Sequence, residues 1–265
     1  MWLDEEKPIF KRDLVLTKPF VNAAGVLGFT PDVRRVPAIA NLGAFITHPI
    51  SIRPRQPAVN RAYLPFAGGF LLHTGLPNPG INQAVLRYRR SWESAALPII
   101  VHVLVETPAS LAEMVRKLEG LENIIGIELG LPPACEPADL SAILSAGAGE
   151  LPLIPCLEPE QVPLLLDTLQ DMQPAMVHLV EPRGTLPGPG NEMVSGRLYG
   201  PAIFPVMLKA AHALVSAGFR VMANGGITAR WQVDALMEIG VSAVGLGSVL
   251  WGHNPQNILA PRMMP

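Results

Sequence analysis

The sequence predicts one α/β domain, a (β/α)8 barrel of the TIM type, and three observations predict it. Short apolar runs alternate with amphipathic stretches along the 265 residues. The runs are apolar throughout rather than alternating, as strands buried on both faces are. Eight such runs occur, the number that closes this barrel, and the last two each end in a glycine turn. A doubly wound open sheet is the alternative.

The candidate strands are Phe20–Ala24, Ala44–Thr47, Ile99–Leu104, Ile124–Leu129, Leu151–Cys156, Ala175–Val180, Arg220–Ala223 and Ala243–Leu246. Between them the spacing predicts helices over Pro31–Asn41, Gly80–Ser94, Ser110–Leu118, Ala138–Leu144, Glu160–Gln170, Pro201–Ala217 and Ala229–Glu238. Thr107-Pro108 and Thr228 stand where N-caps belong, and Gly218 follows a helix end. Two stretches break the rhythm, residues 53–79 and 182–198, both rich in glycine and proline. Each follows a candidate strand, so each is expected as a long loop at the carboxyl mouth, where barrels build their sites. Glu5–Lys18 is expected to form a hairpin closing the other end. No linker or repeat divides residues 1–265.

Composition narrows the function. A net charge of −2 gives no basic field for nucleic acid or anionic lipid. The charged start, MWLDEEKPIFKRD, argues against a signal peptide, and no apolar run has the length to span a bilayer. Cys135 and Cys156 are the only cysteines, so a disulfide framework is not expected. The chain reads as cytoplasmic, acting on a small molecule, with no membrane or nucleic-acid partner.

VMANGGIT (Val221–Thr228) and AVGLGSVL (Ala243–Leu250) share one design: strand, glycine, helix start. Phosphate is held by backbone N–H groups, and glycine lets the chain come close to it. Gly225, Gly226, Gly247 and Ser248 are the candidate donors. The bland alternative is that these glycines only permit tight turns.

Six segments in order resemble the dihydroorotate dehydrogenases, FMN-dependent barrels of pyrimidine biosynthesis. They are PFVNAAGVLG (Pro19–Gly28), LGAFITHPISIRPR (Leu42–Arg55), HTGLPNPGINQ (His73–Gln83), GRLYGPAIFPVMLKAAHAL (Gly196–Leu214), ANGGIT and GLGSVLW. The resemblance implies FMN, held by Ala23, Ala24, Gly25, Thr47, Gly200 and the four phosphate-loop residues. It implies substrate contacts at Gly75, Leu76, Asn78 and Glu181, and a self-associating, homodimeric state.

The segment IELGLPPAC lies where the family carries Glu-Leu-Asn-x-Ser-Cys-Pro-Asn. The first asparagine is Gly130, the base position is Pro133, and the second asparagine is Cys135. Proline accepts no proton, so the family's general base is absent. Two further substrate asparagines align with Leu72 and Glu181, and the two flavin lysines align with His48 and Cys156. The phosphate end is kept and the reacting end rewritten.

Residues expected at the mouth are His48, His73, His102, Glu128, Cys135, Cys156, His178, Glu181 and Arg183. His48, Cys135 and Cys156 are the catalytic candidates. Cys135 would be a displaced proton acceptor, or one half of a redox pair with Cys156. A metal site among these side chains is an alternative, but no metal is expected. The resulting expectation is an FMN-binding, dihydroorotate dehydrogenase-like oxidoreductase with different chemistry at its mouth. A non-catalytic flavin- or phosphate-binding subunit and a phosphosugar-type lyase or isomerase are the alternatives.

Overall fold

A computed structural model describes residues 10–190, 192–251 and 256–259. In chain order the elements are β1 (Phe20–Asn22), β2 (Phe45–Ile46), β3 (Ala62–Phe66), β4 (Gly69–His73), α1 (Gly80–Glu93), β5 (Ile99–Leu104), α2 (Pro108–Leu118), β6 (Ile124–Gly130) and α3 (Pro137–Gly147). They continue with β7 (Leu153–Leu157), α4 (Val162–Met172), β8 (Val177–Leu179), β9 (Arg183–Pro187), β10 (Met193–Tyr199), α5 (Phe204–Ser216), β11 (Val221–Ala223), α6 (Arg230–Glu238), β12 (Ala243–Leu246) and α7 (Gln256–Leu259).

Eight strands form one parallel sheet in the order β1-β12-β11-β8-β7-β6-β5-β2. A parallel bridge between Val21 and Ala44 joins its two ends into a barrel. The seam is narrow, and the Asn22 side chain reinforces it. Its Oδ1 accepts from Ile46 N (2.9 Å), and its Nδ2 donates to Ile46 O (2.6 Å).

Period-two alternation divides the strand side chains between two cores. Outward residues such as Phe45, Ile99, Val101, Leu153, Val177 and Val244 pack against the helices. Inward residues Ile46, Ile100, Ile154, Met176 and Met222 form a second apolar cluster inside the barrel, with Leu14 from the amino-terminal segment. Residues 10–18 thus help plug the base without forming a strand; the rest of the expected hairpin, residues 5–9, lies outside the described residues.

Helix starts follow local chemistry. At α2, Thr107 Oγ1 accepts from Ser110 N (3.1 Å), and Ser110 Oγ accepts from Thr107 N (3.0 Å). Such a reciprocal cap stabilises a helix by about 1 kcal/mol. The helix expected over 31–41 shrinks to a 3-10 turn at Pro37–Asn41. Pro37 has no N–H and holds Val36 in an extended conformation (φ −131°, ψ 86°), which breaks the helix before it forms.

The two expected mouth loops instead carry paired strands. They join in a four-stranded antiparallel sheet of order β3-β4-β10-β9. β3 and β4 follow barrel strand β2, and β9 and β10 follow β8, so this sheet stands at the carboxyl end. Phe70 on β4 stacks on Tyr199 of β10 (5.2 Å, 15°) and tilts against Tyr63 of β3 (4.9 Å, 34°). Among the described residues no helix is long and apolar enough to cross a membrane.

Candidate functional site: a histidine–glutamate floor and a glycine corner

One step up each strand from the inward apolar layer, the same alternation sends a second set of side chains into the barrel. His48 follows Ile46, His102 follows Ile100, Glu128 follows Gly126, Cys156 follows Ile154, His178 follows Met176 and Asn224 follows Met222. The barrel floor beneath the mouth is therefore polar, although His102, Glu128, Cys156, His178 and Asn224 are all buried.

Glu128 is the hub. Its Oε2 pairs with His102 Nδ1 at 2.5 Å, and its Oε1 pairs with His178 Nδ1. Burial alone would raise this carboxyl's pKa, but His178 and then His102 outweigh it and hold Glu128 well below the usual carboxylate range. An ionised carboxylate only accepts, so both Nδ1 atoms carry the proton. The Nε2 atoms are thereby the free ends of both rings when the rings are neutral. Burial, followed by repulsion from His102, lowers the pKa of His48. His102, Glu128 and Cys156 also bring ligand-type atoms within 4.8 Å of one another. These three are the residues that would hold a metal ion, but both Glu128 oxygens already bond to imidazoles. The Cys156 thiol is pushed far up, first by burial and then by Glu128.

His102 has a second neighbour. A Cβ on Gly130 would stand 2.6 Å from His102 Nε2, closer than real Cβ contacts come. The imidazole thus fills the volume that a side chain at the end of β6 would occupy.

The glycine corner lies at the ends of β11 and β12. Glu181, Tyr199, Gly200, Asn224, Gly225, Gly226, Ile227, Thr228, Gly247 and Ser248 line a small open cleft there. Gly225 and Gly226 have φ of +97° and +75°, and a Cβ on Gly226 would meet Phe204 N at 2.7 Å. Glycine is therefore required at 226 both for its conformation and for its close approach to the start of α5. The N–H groups of Gly226, Gly247 and Ser248 donate to no other backbone carbonyl among the described residues. Gly225 differs, because its N–H donates to Asn224 Oδ1 at 2.7 Å. Three of the four expected donors thus belong to cleft-lining residues and have no backbone acceptor among the described residues, a set suited to a phosphoryl group.

The other expected residues have different surroundings. Thr47 Oγ1 accepts from His102 N (3.0 Å) and Ala23 N donates to Leu246 O (2.8 Å), so both help knit the barrel rim. Gly25 lies against His48, 3.8 Å from its Nδ1 at the Cβ position. Ala24 packs beside the inner cluster. Gly200 admits the β3–β4 turn, since a Cβ there would meet Gly68 O at 2.5 Å. Asn78 is buried, and its Oδ1 accepts from Ser51 N, Ser51 Oγ and Gly80 N. Gly75 and Leu76 precede it with φ of +77° and +51°. Cys135 lies in the outer core, and burial, then Asp139 and Glu136, push its thiol up to about 11. Both cysteines are free thiols. His73 belongs to β4 of the covering sheet, and Arg183 pairs with Glu158 (2.9 Å). Asn224, Arg197 and Tyr199 are among the site residues that sequence reasoning missed. Asn224 occupies the inward position two after Met222, a signal that was available.

Comparisons with known proteins point to the same enzymes. A sequence profile described as dihydroorotate dehydrogenase matches residues 11–142. The dihydroorotate dehydrogenase B (NAD(+)) catalytic subunit of Maridesulfovibrio salexigens is 25% identical over 262 residues, covering 89% of this chain and 84% of that one. The same-named subunit of Desulforudis audaxviator is 27% identical, covering 89% and 83%. A putative dihydroorotate dehydrogenase A (fumarate) of Aeropyrum pernix is 29% identical over a shorter stretch, 55% and 52%. Over nearly nine-tenths of its length this chain is similar to dihydroorotate dehydrogenase subunits. The Pro133 carbonyl accepts from Gln161 Nε2 (3.4 Å).

Proposed function

We propose that the chain is an FMN-binding oxidoreductase whose chemistry differs from dihydroorotate oxidation. The corner of free N–H groups at Gly226, Gly247 and Ser248 carries this reading. It is suited to the phosphoryl end of a flavin nucleotide and lies beside a barrel floor rebuilt with ionisable side chains. On this reading Ala23, Ala24, Gly25, Thr47 and Gly200 would be the remaining flavin contacts, and Gly200 lines the same cleft. When bound, the flavin would supply two-electron chemistry, and the protein would supply orientation and electrostatics. The floor's part is to fix the charge beneath the ligand. Glu128 locks both imidazoles by Nδ1 and leaves Nε2 as the ligand-side face of His102. Pro133 contributes no proton acceptor, so a dihydroorotate-type proton abstraction has no group at its usual place.

The reading makes the protein cytoplasmic and homodimeric, acting on a small molecule. The deciding experiment is the spectrum and mass of whatever small molecule copurifies. A yellow protein releasing FMN is expected. Gly247→Asp should lose the colour while keeping the thermal transition, because Gly247 has no left-handed φ and the added carboxylate would face the phosphoryl group. A colourless protein that gains no flavin on titration overturns the proposal.

The absent base favours one second reading, a non-catalytic flavin-binding subunit. Bound flavin that dithionite and nicotinamide donors fail to reduce would select it. Turnover with any electron donor would remove it.

A further inference from the structure

Glu181 follows β8 and is buried, at 5% exposure, yet it lines the same cleft as the phosphoryl donors. Its Oε1 stands 3.3 Å from where a Cβ of Gly247 would lie, and Asn224 Oδ1 stands 3.6 Å from the same point. A carboxylate thus sits inside an anion corner. The cleft is small and open to solvent, and Glu181 is its one acidic wall. The glycine walls cannot retreat, since Gly226 abuts the Phe204 backbone. The wall able to yield is the Glu181 side chain.

We infer that Glu181 is a specificity-determining residue of the phosphoryl corner, one that shares a proton with the ligand's phosphoryl oxygen when the ligand binds. The inference rests on the phosphoryl reading proposed above. Two anions in one buried site do not both stay ionised; one takes up a proton, which then forms a hydrogen bond between them. The proton comes from solvent on binding, and no covalent bond changes.

The surroundings support a carboxyl that protonates readily. Burial raises the Glu181 pKa, while Arg197, then its own backbone N–H, His178 and Asn224, oppose without cancelling. Arg197, on β10, donates from Nη1 to Glu181 O (2.7 Å), and its guanidinium is also 3.8 Å from Glu158 Oε1. Arg197 is therefore divided between two partners. Tyr199, also on β10, is held protonated well above the usual phenol range by burial and by Glu181 itself. His178 on β8 has its Nδ1 engaged by Glu128. The β12 turn contributes only Gly247 and Ser248 and no titratable group. No neighbouring cation faces Glu181 alone.

The test is calorimetric titration of the full chain with FMN, and with inorganic phosphate as the minimal probe. It is run from neutral pH upward, where the phosphoryl group is already a dianion (second pKa about 6). Two buffers of different ionisation enthalpy count the protons taken up. For the wild type, affinity should fall by about tenfold per pH unit above the raised Glu181 pKa, with about one proton taken up per ligand. Glu181→Gln should bind with a flat profile over that range and without uptake. Glu181→Ala, which also enlarges the cleft, should behave likewise. Equal profiles and equal proton counts in the wild type and both variants would overturn the inference, even with FMN bound. Binding by none of the three proteins at any pH would overturn the phosphoryl reading itself, and this inference with it.

Discussion

Replacing Gly130 with alanine tests whether the new floor is one interlocked unit. The added Cβ would lie 2.6 Å from His102 Nε2 and 3.2 Å from Leu104 Cδ2. Ordinary contact begins near 3.4 Å, so the imidazole has to move by about 0.8 Å. It cannot move freely, because its Nδ1 is bonded to Glu128 at 2.5 Å. Overpacking of this kind costs about 1–3 kcal/mol, and more if the pair with the buried carboxylate opens. In a chain of this size that lowers the melting temperature by roughly 2–10 °C.

The assay is a double-mutant cycle in thermal or denaturant unfolding. His102→Ala alone is destabilising, since it leaves Glu128 with one imidazole instead of two. Once the imidazole is gone, however, a methyl group at 130 has space. Gly130→Ala should therefore add little in the His102→Ala background, giving a coupling of about 1–3 kcal/mol. Strict additivity would show that residues 102 and 130 do not compete for one volume. The claim that the floor is one interlocked unit would fall with it.

Two further outcomes are expected. The Glu128 pKa is depressed on folding, so the carboxylate stabilises the fold above its unfolded value of about 4.3, and that contribution is lost as the pH falls towards the folded value. Acid titration of wild-type stability should therefore steepen below about pH 5, and Glu128→Gln should remove most of the extra slope; parallel curves would contradict the assignment of Glu128 as the ionised hub. With its thiol at about 11, native Cys135 at pH 8 is only about 0.1% thiolate. Iodoacetamide should label it at least 100-fold more slowly in the native protein than in the unfolded one, and fast native labelling would restore it as a candidate proton acceptor.

What the sequence disclosed follows from what each feature depends on. All eight barrel strands were legible because a strand buried on both faces is apolar at nearly every position, as in AVGL and, with His102 as its one polar residue, IIVHVL. The covering sheet was not. β3 reads AYLPF and β9 reads RGTLP, and internal proline and glycine demote such runs to loops. Yet the alternation of half-buried and exposed residues along β3 and β9 was present, and the Ala67-Gly68 turn, with φ of +84° at Gly68, closes a two-residue hairpin. Asn78 reads as a ligand contact in a motif of that shape. Its oxygen also ties Ser51 to Gly80, a long-range use with no local signature.

The corner and the floor differ for a physical reason. The corner works through backbone N–H groups, so only the identity of a few glycines matters, and glycine is visible in a sequence. The floor works through side chains from separate strands, and its connections exist only once β5, β6 and β8 stand side by side. In register, His102 faces Glu128 across β5 and β6, and Cys156 faces His178 across β7 and β8. A change at one of these positions is constrained by its neighbours: histidine at 102 excludes any side chain at 130, and a Cβ at 245 would meet Asn224 at 2.9 Å. Here His102 fills the volume beside Gly130 and pairs with Glu128, while His178 Nε2 and Asn224 Nδ2 are buried without a hydrogen-bond partner among the described residues and so are left to meet a ligand on the floor.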